Sequence, residues 1–442
     1  MVQGITRNAR LALLMVVGLV CGTVAFSQVQ IDYWHGFTGP DLPVMEGLVA
    51  EFNETHPDIE VTPQAIPWGN LFQQIEPSVA AGRAPDVVAV NEDVITGFIM
   101  RGALAQITPE ELSSHEIDAE RFYESLWNIG TVDGAVYGVP IHSVMLVMYY
   151  NKSLFEEAGL DPENPPQDRE AFLAAARALT VDSAGRHPGD EGFDHDDLAQ
   201  WAVGVPTPWM GGTIAYSVAA QNGVTFVGPA SEDYAVNFNS EGGKEAVQFL
   251  VDLVDEHQVS PANATEQSEI DAFRQGKAAM NFNGVWMLTQ YQNQDGLDFG
   301  VAPLPNLGTG DYKVWGGASY LVMPMQRRGD PEEREAALTF ISWMTQAEQN
   351  LKWTAGGSLP TQPAVADHPD YQEHPMTAVR DALPDTYILA GFPFVAQLRA
   401  AWDAGFEAAL LGDKSVDQAL DDAAAEASAR IEDGLQSLPP RD

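Results

Sequence analysis

The chain has almost no sulfur chemistry, few positive charges and no long apolar run beyond its N-terminus. Its one cysteine, Cys21, lies within the first 27 residues. If that segment is removed, no disulfide, thiol nucleophile or cysteine-held metal is possible. Lys and Arg number 22 against 63 Asp and Glu, a net charge of −41. Such a field repels DNA, RNA and anionic lipid, and is that of an acidic, solvated surface. After the first 27 residues nothing is long and apolar enough to span a bilayer. Catalytic signatures are missing too: there is no G-x-S-x-G elbow, no HExxH helix and no P-loop.

What is present begins with a secretory leader over residues 1–27. Arg7 and Arg10 form its positive end, Leu11 to Val24 its apolar segment, and Ala25-Phe26-Ser27 a cleavage site of mostly small residues. Secretion to a periplasmic or extracellular space is the expectation. Val20 before Cys21 fits a lipoprotein site poorly, which leaves acylation as the lesser alternative.

At 442 residues the chain exceeds what one core normally organises, so two domains are expected. From Val29 strands and helices alternate: strand Val29–Trp34, helix Leu42–Asn53, strand Ile59–Ile66, helix Leu71–Ala81, strand Asp86–Val90, helix Ile95–Arg101. That order reads as a βαβ series with a parallel sheet. Pro140 offers no backbone donor, so the chain is expected to turn there. Ile141–Tyr150 is then almost unbroken apolar sequence, as in a strand covered on both faces. Ser153 and Glu156 suggest a capping box, and Gly159 a helix stop. Further helices are expected after Asp168, over 241–254, 266–275, 331–344 and 347–353, and along the apolar face of Val395, Leu398, Trp402, Phe406 and Leu410.

All ten tryptophans follow the leader. Trp127, Trp201, Trp343 and Trp402 fall on helix-like segments and read as core. Trp34, Trp68, Trp209, Trp286, Trp315 and Trp353 sit at element ends or in loops. A flat apolar face beside polar groups suits a pyranose ring, so these six are candidate ligand contacts as well as candidate core. His142, where the chain enters the buried strand, either meets a ligand or satisfies a neighbouring carbonyl. His187, Asp190, Asp194, His195 and Asp196 fit neither an EF-hand nor a zinc-helix spacing, so residues 182–197 read as a solvated loop.

Several of these segments resemble the family 1 extracellular solute-binding proteins, the sugar-capturing subunits of bacterial ABC importers. Tyr137-Gly-Val-Pro140 followed by an apolar strand ending Tyr149-Tyr150-Asn151-Lys152 is similar to that family's interlobe crossover. Trp34-His35-Gly36-Phe37-Thr38-Gly39 resembles its first cleft loop, and Asn91-Glu92-Asp93 its acidic third-strand end. Phe273-Arg-Gln-Gly276-Lys277-Ala-Ala-Met280, continuing to Gly284-Val-Trp286, and Trp315-Gly316-Gly317 resemble two later blocks. The matches run from Val29 to the C-terminal helices.

The resemblance implies an α/β, two-lobed periplasmic-binding-protein fold of type II. Each lobe is expected to be a mostly parallel sheet flanked by helices, with the lobes joined by hinge strands. Lobe 1 is expected from residues 28–140 and 315–387, lobe 2 from 141–314 and 388–442. The implied site comprises Trp34, His35, Thr38, Trp68, Glu92, Asp93, His142, Trp209, Trp286, Trp315, Gly316, Gly317 and Trp353. No cofactor, metal or catalytic residue is expected. The partners would be a small carbohydrate and the transmembrane permease of an ABC importer, with the protein itself a monomer. Two other readings stand beside this one: a glycerol 3-phosphate or polyol-phosphate binding protein, which needs a cationic cleft, and a secreted glycosidase with paired carboxylates.

Overall fold

The computed structural model describes residues 28–229, 234–389 and 391–438; the expected leader and Cys21 lie outside them. Strand β1 (Val29–His35), helix α1 (Leu42–Thr55), strand β2 (Ile59–Ala65), helix α2 (Trp68–Ala81), strand β3 (Val87–Asn91) and helix α3 (Glu92–Met100) follow in order. Then comes β4 (Gly138–Asn151), the longest strand described. It is followed by α4 (Arg169–Leu179), α5 (Trp209–Gln221), α6 (Glu241–Asp255), α7 (Glu266–Arg274), β5 (Met280–Gly284) and β6 (Phe299–Pro303). The remaining major elements are β7 (Val314–Val322), α8 (Pro331–Met344), α9 (Ala347–Thr354), β8 (Thr386–Tyr387), α10 (Val395–Leu410) and α11 (Val416–Ser437).

One mixed sheet runs β6-β4-β7-β3-β1-β2, with β5 also on β4 and β8 also on β7. The β2, β1 and β3 strands are parallel, as the alternating pattern predicts. Around β4, however, β5, β6 and β7 are all antiparallel to it, so the second half is not the mostly parallel sheet expected. The chain leaves β4 through α4 to α7 before β5 and β6 return against it from the opposite direction.

Side-chain alternation on β1, β3 and β7 feeds two apolar layers. Tyr33, Val87, Ala89 and Leu321 point to one, with Phe52, Phe340 and Trp353. Val88, Val90, Tyr320 and Val322 point to the other, with Leu71, Ile75 and Ile95. A separate, larger core takes Met145–Tyr150 from the distal part of β4. It adds α5, α6, β5 and the face of α10 carrying Leu398, Trp402 and Phe406. Met376, Val379 and Ala382 pack in that same core. The strand β4 therefore begins in one core and ends in another, which is why it reads as an unbroken apolar run.

Two local expectations are corrected. The chain does not turn at Pro140, which lies inside β4. Register against β7 slips there: Ser319 faces His142 and Tyr320 faces Pro140, leaving Ile141 as an extra residue. A bulge is where a sheet tolerates a residue with no N–H. The following helix is capped by Asn151, whose side chain accepts from the Leu154 N–H at 3.1 Å, and not by Ser153. Gly159 does adopt the left-handed conformation that ends it.

The loop 182–197 is organised internally. Buried Asp182 accepts from the N–H groups of Ala184 and Arg186 at 2.9 Å and Asp194 at 3.1 Å, and pairs with the Arg186 guanidinium at 2.7 Å. His195 Nε2 lies 2.8 Å from the Ser260 carbonyl oxygen. Among the described residues no group of three or more His, Cys, Asp or Glu could hold a metal ion. No helix among them is long and apolar enough to cross a membrane.

The β4 bulge is pinned from outside by Asn350 on α9. Its amide donates to the Ile141 carbonyl at 2.8 Å and accepts from the Thr361 N–H at 3.1 Å. Asn350→Ala leaves both buried groups unpaired. We expect unfolding free energy to fall by about 1–3 kcal/mol, measured as a lower urea midpoint with an unchanged slope.

Candidate ligand-binding cleft

A cavity of about 1070 Å³ opens between the two cores, against the middle of β4 and β7. Its walls come from both sides of the molecule. The β1–α1 loop supplies Gly36 to Asp41, the β3–α3 junction supplies Asn91, Glu92 and Asp93, and the start of α2 supplies Trp68. Facing them are Trp209 from α5, Glu266 and Gln267 from α7, Trp286 after β5, and Arg399 and Asp403 from α10. The strands contribute His142, Val144, Trp315 and Gly316.

Three indoles form a cluster on the second side. The rings of Trp209 and Trp286 lie 6.2 Å apart and tilted by 34°. Trp315 stands nearly perpendicular to both, at 6.4 Å and 6.2 Å. Trp209 remains 38 % exposed, at the mouth. Trp286 lies flat over the backbone of Gly284: a Cβ there would sit 2.1 Å from the indole. The glycine two residues before this tryptophan is thus a steric requirement.

The polar side of the cleft is dominated by carboxylates. Glu92 Oε2 accepts from the Ala318 N–H at 3.0 Å. Burial raises the pKa of both Glu92 and Asp93 above the ordinary range, and the charge of Asp93 raises Glu92 further. Burial also raises Asp403 to about 6, against the opposing effect of Arg399, and Asp41 to about 6. Among the described residues Arg399 is the one Lys or Arg on the wall, and its Nη2 is already engaged. Its Nη2 donates to Thr213 Oγ1 at 2.7 Å and lies 3.4 Å from Asp403 Oδ1. Its guanidinium carbon sits 4.8 Å from the centre of the Tyr216 ring. His142 is held neutral, its pKa lowered to about 3 by burial. Its Nδ1 lies 3.2 Å from Ser358 Oγ. Three buried wall atoms have no hydrogen-bond partner among the described residues: Asp93 Oδ1, His142 Nε2 and Arg399 Nη1.

Of the thirteen residues expected at the site, nine line this cavity: Thr38, Trp68, Glu92, Asp93, His142, Trp209, Trp286, Trp315 and Gly316. Four do not. Trp34 packs half-buried against the layer formed by Val88 and Val90. His35 is 1 % exposed between Tyr33 and Phe37, and burial lowers its pKa to about 4. Trp353 is fully buried; it stacks on His142 at 4.8 Å and 15° and so supports the floor from beneath. Gly317 does not line the cavity itself: its missing Cβ makes room for the Glu92 carboxyl, which it would approach to 2.4 Å. The sequence reading missed Asp41, Tyr216, Glu266, Gln267, Arg399 and Asp403. For the last two a signal existed: an Arg–Asp pair four apart on a helix otherwise read for its apolar face.

A two-sided cleft across shared strands, with aromatic and acidic walls, defines the class of solute-binding proteins that hold a small guest between two lobes. A sequence model of the family described as bacterial extracellular solute-binding protein matches residues 47–378, and the chain belongs to that family. The sn-glycerol-3-phosphate-binding periplasmic protein of Salmonella typhimurium is 25 % identical over 431 residues, covering 90 % of this chain and 92 % of that protein. Among solved structures, the maltose/maltodextrin-binding domain of Bdellovibrio bacteriovorus bound to maltotriose superposes with a TM-score of 0.78. It is 19 % identical and covers 91 % of this chain and 100 % of its own. An ABC substrate-binding protein of Listeria monocytogenes in complex with cycloalternan gives 0.75 at 22 % identity, over 92 % and 99 % of the two chains. These likenesses show the two-lobed fold.

A pH dependence follows from the raised carboxyl of Glu92. A carboxyl whose pKa is higher in the folded state contributes stability below its unfolded value, and that contribution is lost as pH rises through the folded value. The window for Glu92 lies between its ordinary value of 4.5 and about 8. Glu92→Gln keeps a carbonyl acceptor for the Ala318 N–H and cannot ionise. We expect its melting temperature to exceed the wild type by a margin that grows from about pH 4 to about pH 8. A constant margin across that range would contradict the assignment.

Proposed function

We propose that this protein captures a carbohydrate in the interlobe cleft and delivers it to the permease of an ABC importer, making and breaking no bond itself. The observation that carries the reading is the Trp209–Trp286–Trp315 cluster facing Asp93, Glu92 and His142 across one cavity. A sugar ring presents C–H patches on its faces and hydroxyls at its rim, and this wall offers indole faces beside hydrogen-bonding groups. The neighbours described as bound to maltotriose and cycloalternan support a saccharide guest.

The ligand-contacting residues we propose are the nine that line the cleft, together with Arg399 and Asp403. The lobes we propose divide as residues 28–140 with 315–375, and 141–314 with 376–438, because Met376, Val379 and Ala382 pack with the second core. Bending about β4 and β7 would close them on the guest, which favours the closed state by contacts made only there. Export by the 1–27 leader, action as a monomer and the absence of hydrolysis belong to the same proposal.

A glycerol 3-phosphate ligand has in its favour the names of several relatives, four from Brucella and the one from Salmonella. A phosphate needs free cations or a set of backbone donors. Here the one wall cation is already paired with Asp403, and four further carboxylates face the same space. Charge repulsion ranks that reading second.

Trp286→Ala removes a stacking face while leaving the cores intact. We expect sugar affinity to fall at least about tenfold, roughly 1.4 kcal/mol, with little change in melting temperature. Calorimetry and ligand-induced indole fluorescence measure it; unchanged binding by both would move the site elsewhere. Prolonged incubation with oligosaccharides should return them intact on chromatography, and released product would restore the glycosidase reading.

A further inference from the structure

The charge balance of the cleft goes further than the shape of the guest. Among the described residues Asp41, Glu92, Asp93, Glu266 and Asp403 line it against Arg399 alone. Nη2 of Arg399 is taken by Thr213 and Asp403 and its plane by the Tyr216 ring; Nη1 is unpartnered, and the one charge acts on Asp93 and Glu92 as well as Asp403. Carboxylates taken out of water need a positive partner or must give up their charge. Here burial raises Asp41, Asp93, Asp403 and Glu92 alike, as expected where positive charge is scarce. Of the three unpartnered wall atoms, the two that can accept point to what would fill the deficit. Ionised, Asp93 Oδ1 can only accept, and it has no donor among the described residues. His142 is 4 % exposed, and its Nε2 is buried and unpartnered on the cleft wall. Opposite them stand three indoles, whose faces attract cations.

Resting on the sugar reading of the cleft, we propose that the preferred solute is a carbohydrate carrying a protonated amine, with Asp93 as its counter-charge. An ammonium brings three donors and one positive charge. It can therefore donate to Asp93 Oδ1, keep donors for a second acceptor on the same wall, and offset the surplus carboxylates. A hydroxyl in the same place supplies the hydrogen bonds and none of the charge. An N-acetyl group supplies a single N–H, and a phosphate adds to the repulsion. The deficit is local to a cavity shielded by Trp286 and Trp315, so the acidic outer surface does not account for it.

The test is calorimetric titration of the mature protein with matched triplets: glucosamine, glucose and N-acetylglucosamine, and the same three forms of galactose and mannose. Maltotriose serves as a neutral oligosaccharide. At least one amine should bind at least about tenfold more tightly than both of its uncharged counterparts, and added salt should narrow that margin. In Asp93→Asn the margin, read as the ratio of amine to parent-sugar affinity within the same variant, should collapse whatever the general loss of binding; Asp403→Asn serves if that variant fails to fold. Neutral sugars or maltotriose binding with no amine margin would overturn the inference and leave the sugar reading standing. A margin unmoved in the Asp93 variant would overturn the assignment of the counter-charge. Failure of every ligand, maltotriose included, would sink both.

Discussion

Everything at the cleft depends on two antiparallel strands that belong to both halves of the molecule. Gly138–Asn151 and Val314–Val322 are hydrogen-bonded to one another across the junction, then each continues into a different set of neighbours. A buried ladder cannot be opened without stranding its N–H and C=O groups, so the halves can flex only by twisting it. The junction is built for that. A bulge at Ile141, a proline at 140 and the Gly316–Gly317 pair place the least regular pairing where the two cores meet. His142, Trp315 and Gly316 sit on the same stretch. On the proposed reading ligand contact and hinge are one structure, and a guest touching His142 would touch the element that bends.

The second constraint is electrostatic and opposes the first. Packing fixes Glu92 against the Ala318 N–H and places Asp93 beside it, so two carboxyls enter the interior on consecutive residues at the start of a helix. The helix dipole favours negative charge there by about 0.3–1 kcal/mol. Desolvation of a carboxylate costs several kcal/mol, and wins. The apo cleft is therefore less stable than an apolar one of the same shape. Binding groups kept short of partners are groups a guest can satisfy, so the instability and the affinity have one source.

How much of this was legible in the sequence depended on whether a signal was local. The β1–α3 series was readable because strand and helix periods are short-range. The Ile141–Tyr150 strand was readable because a segment passing between two cores is apolar on both faces. Pro140 misled because its effect on hydrogen bonding depends on the partner strand, and the bulge that accommodates it lies partly on Ser319 and Tyr320. The antiparallel pairing around β4 was hidden for the same reason. At the site, indoles at element ends were a good guide where the element ended at the cleft, as at Trp209 and Trp286. They failed for Trp353, whose helix runs behind the floor. Gly317 failed because the space left by its missing side chain is taken by the Glu92 carboxyl. Arg399 and Asp403 were obscured by the apolar face of their own helix, although their i,i+4 spacing was in view.

Two of the expected residues outside the cavity, Trp353 and His35, still bear on it through Phe37 and His142 on its wall. Trp353 stacks on His142, Phe37 packs edge-on to Trp68 and His142, and His35 lies against Phe37. These rings form a continuous aromatic layer beneath the floor, and their stiffness limits where the His142 ring can go. A hydrogen-bonding group gains affinity from such restraint because less side-chain freedom is lost on binding. This separates two kinds of change available to a fold kept at 19–25 % identity. Altering the supporting layer loosens the floor for any guest. Altering Asp93, Arg399 or Asp403 changes the sign of the charge that the same floor will accept.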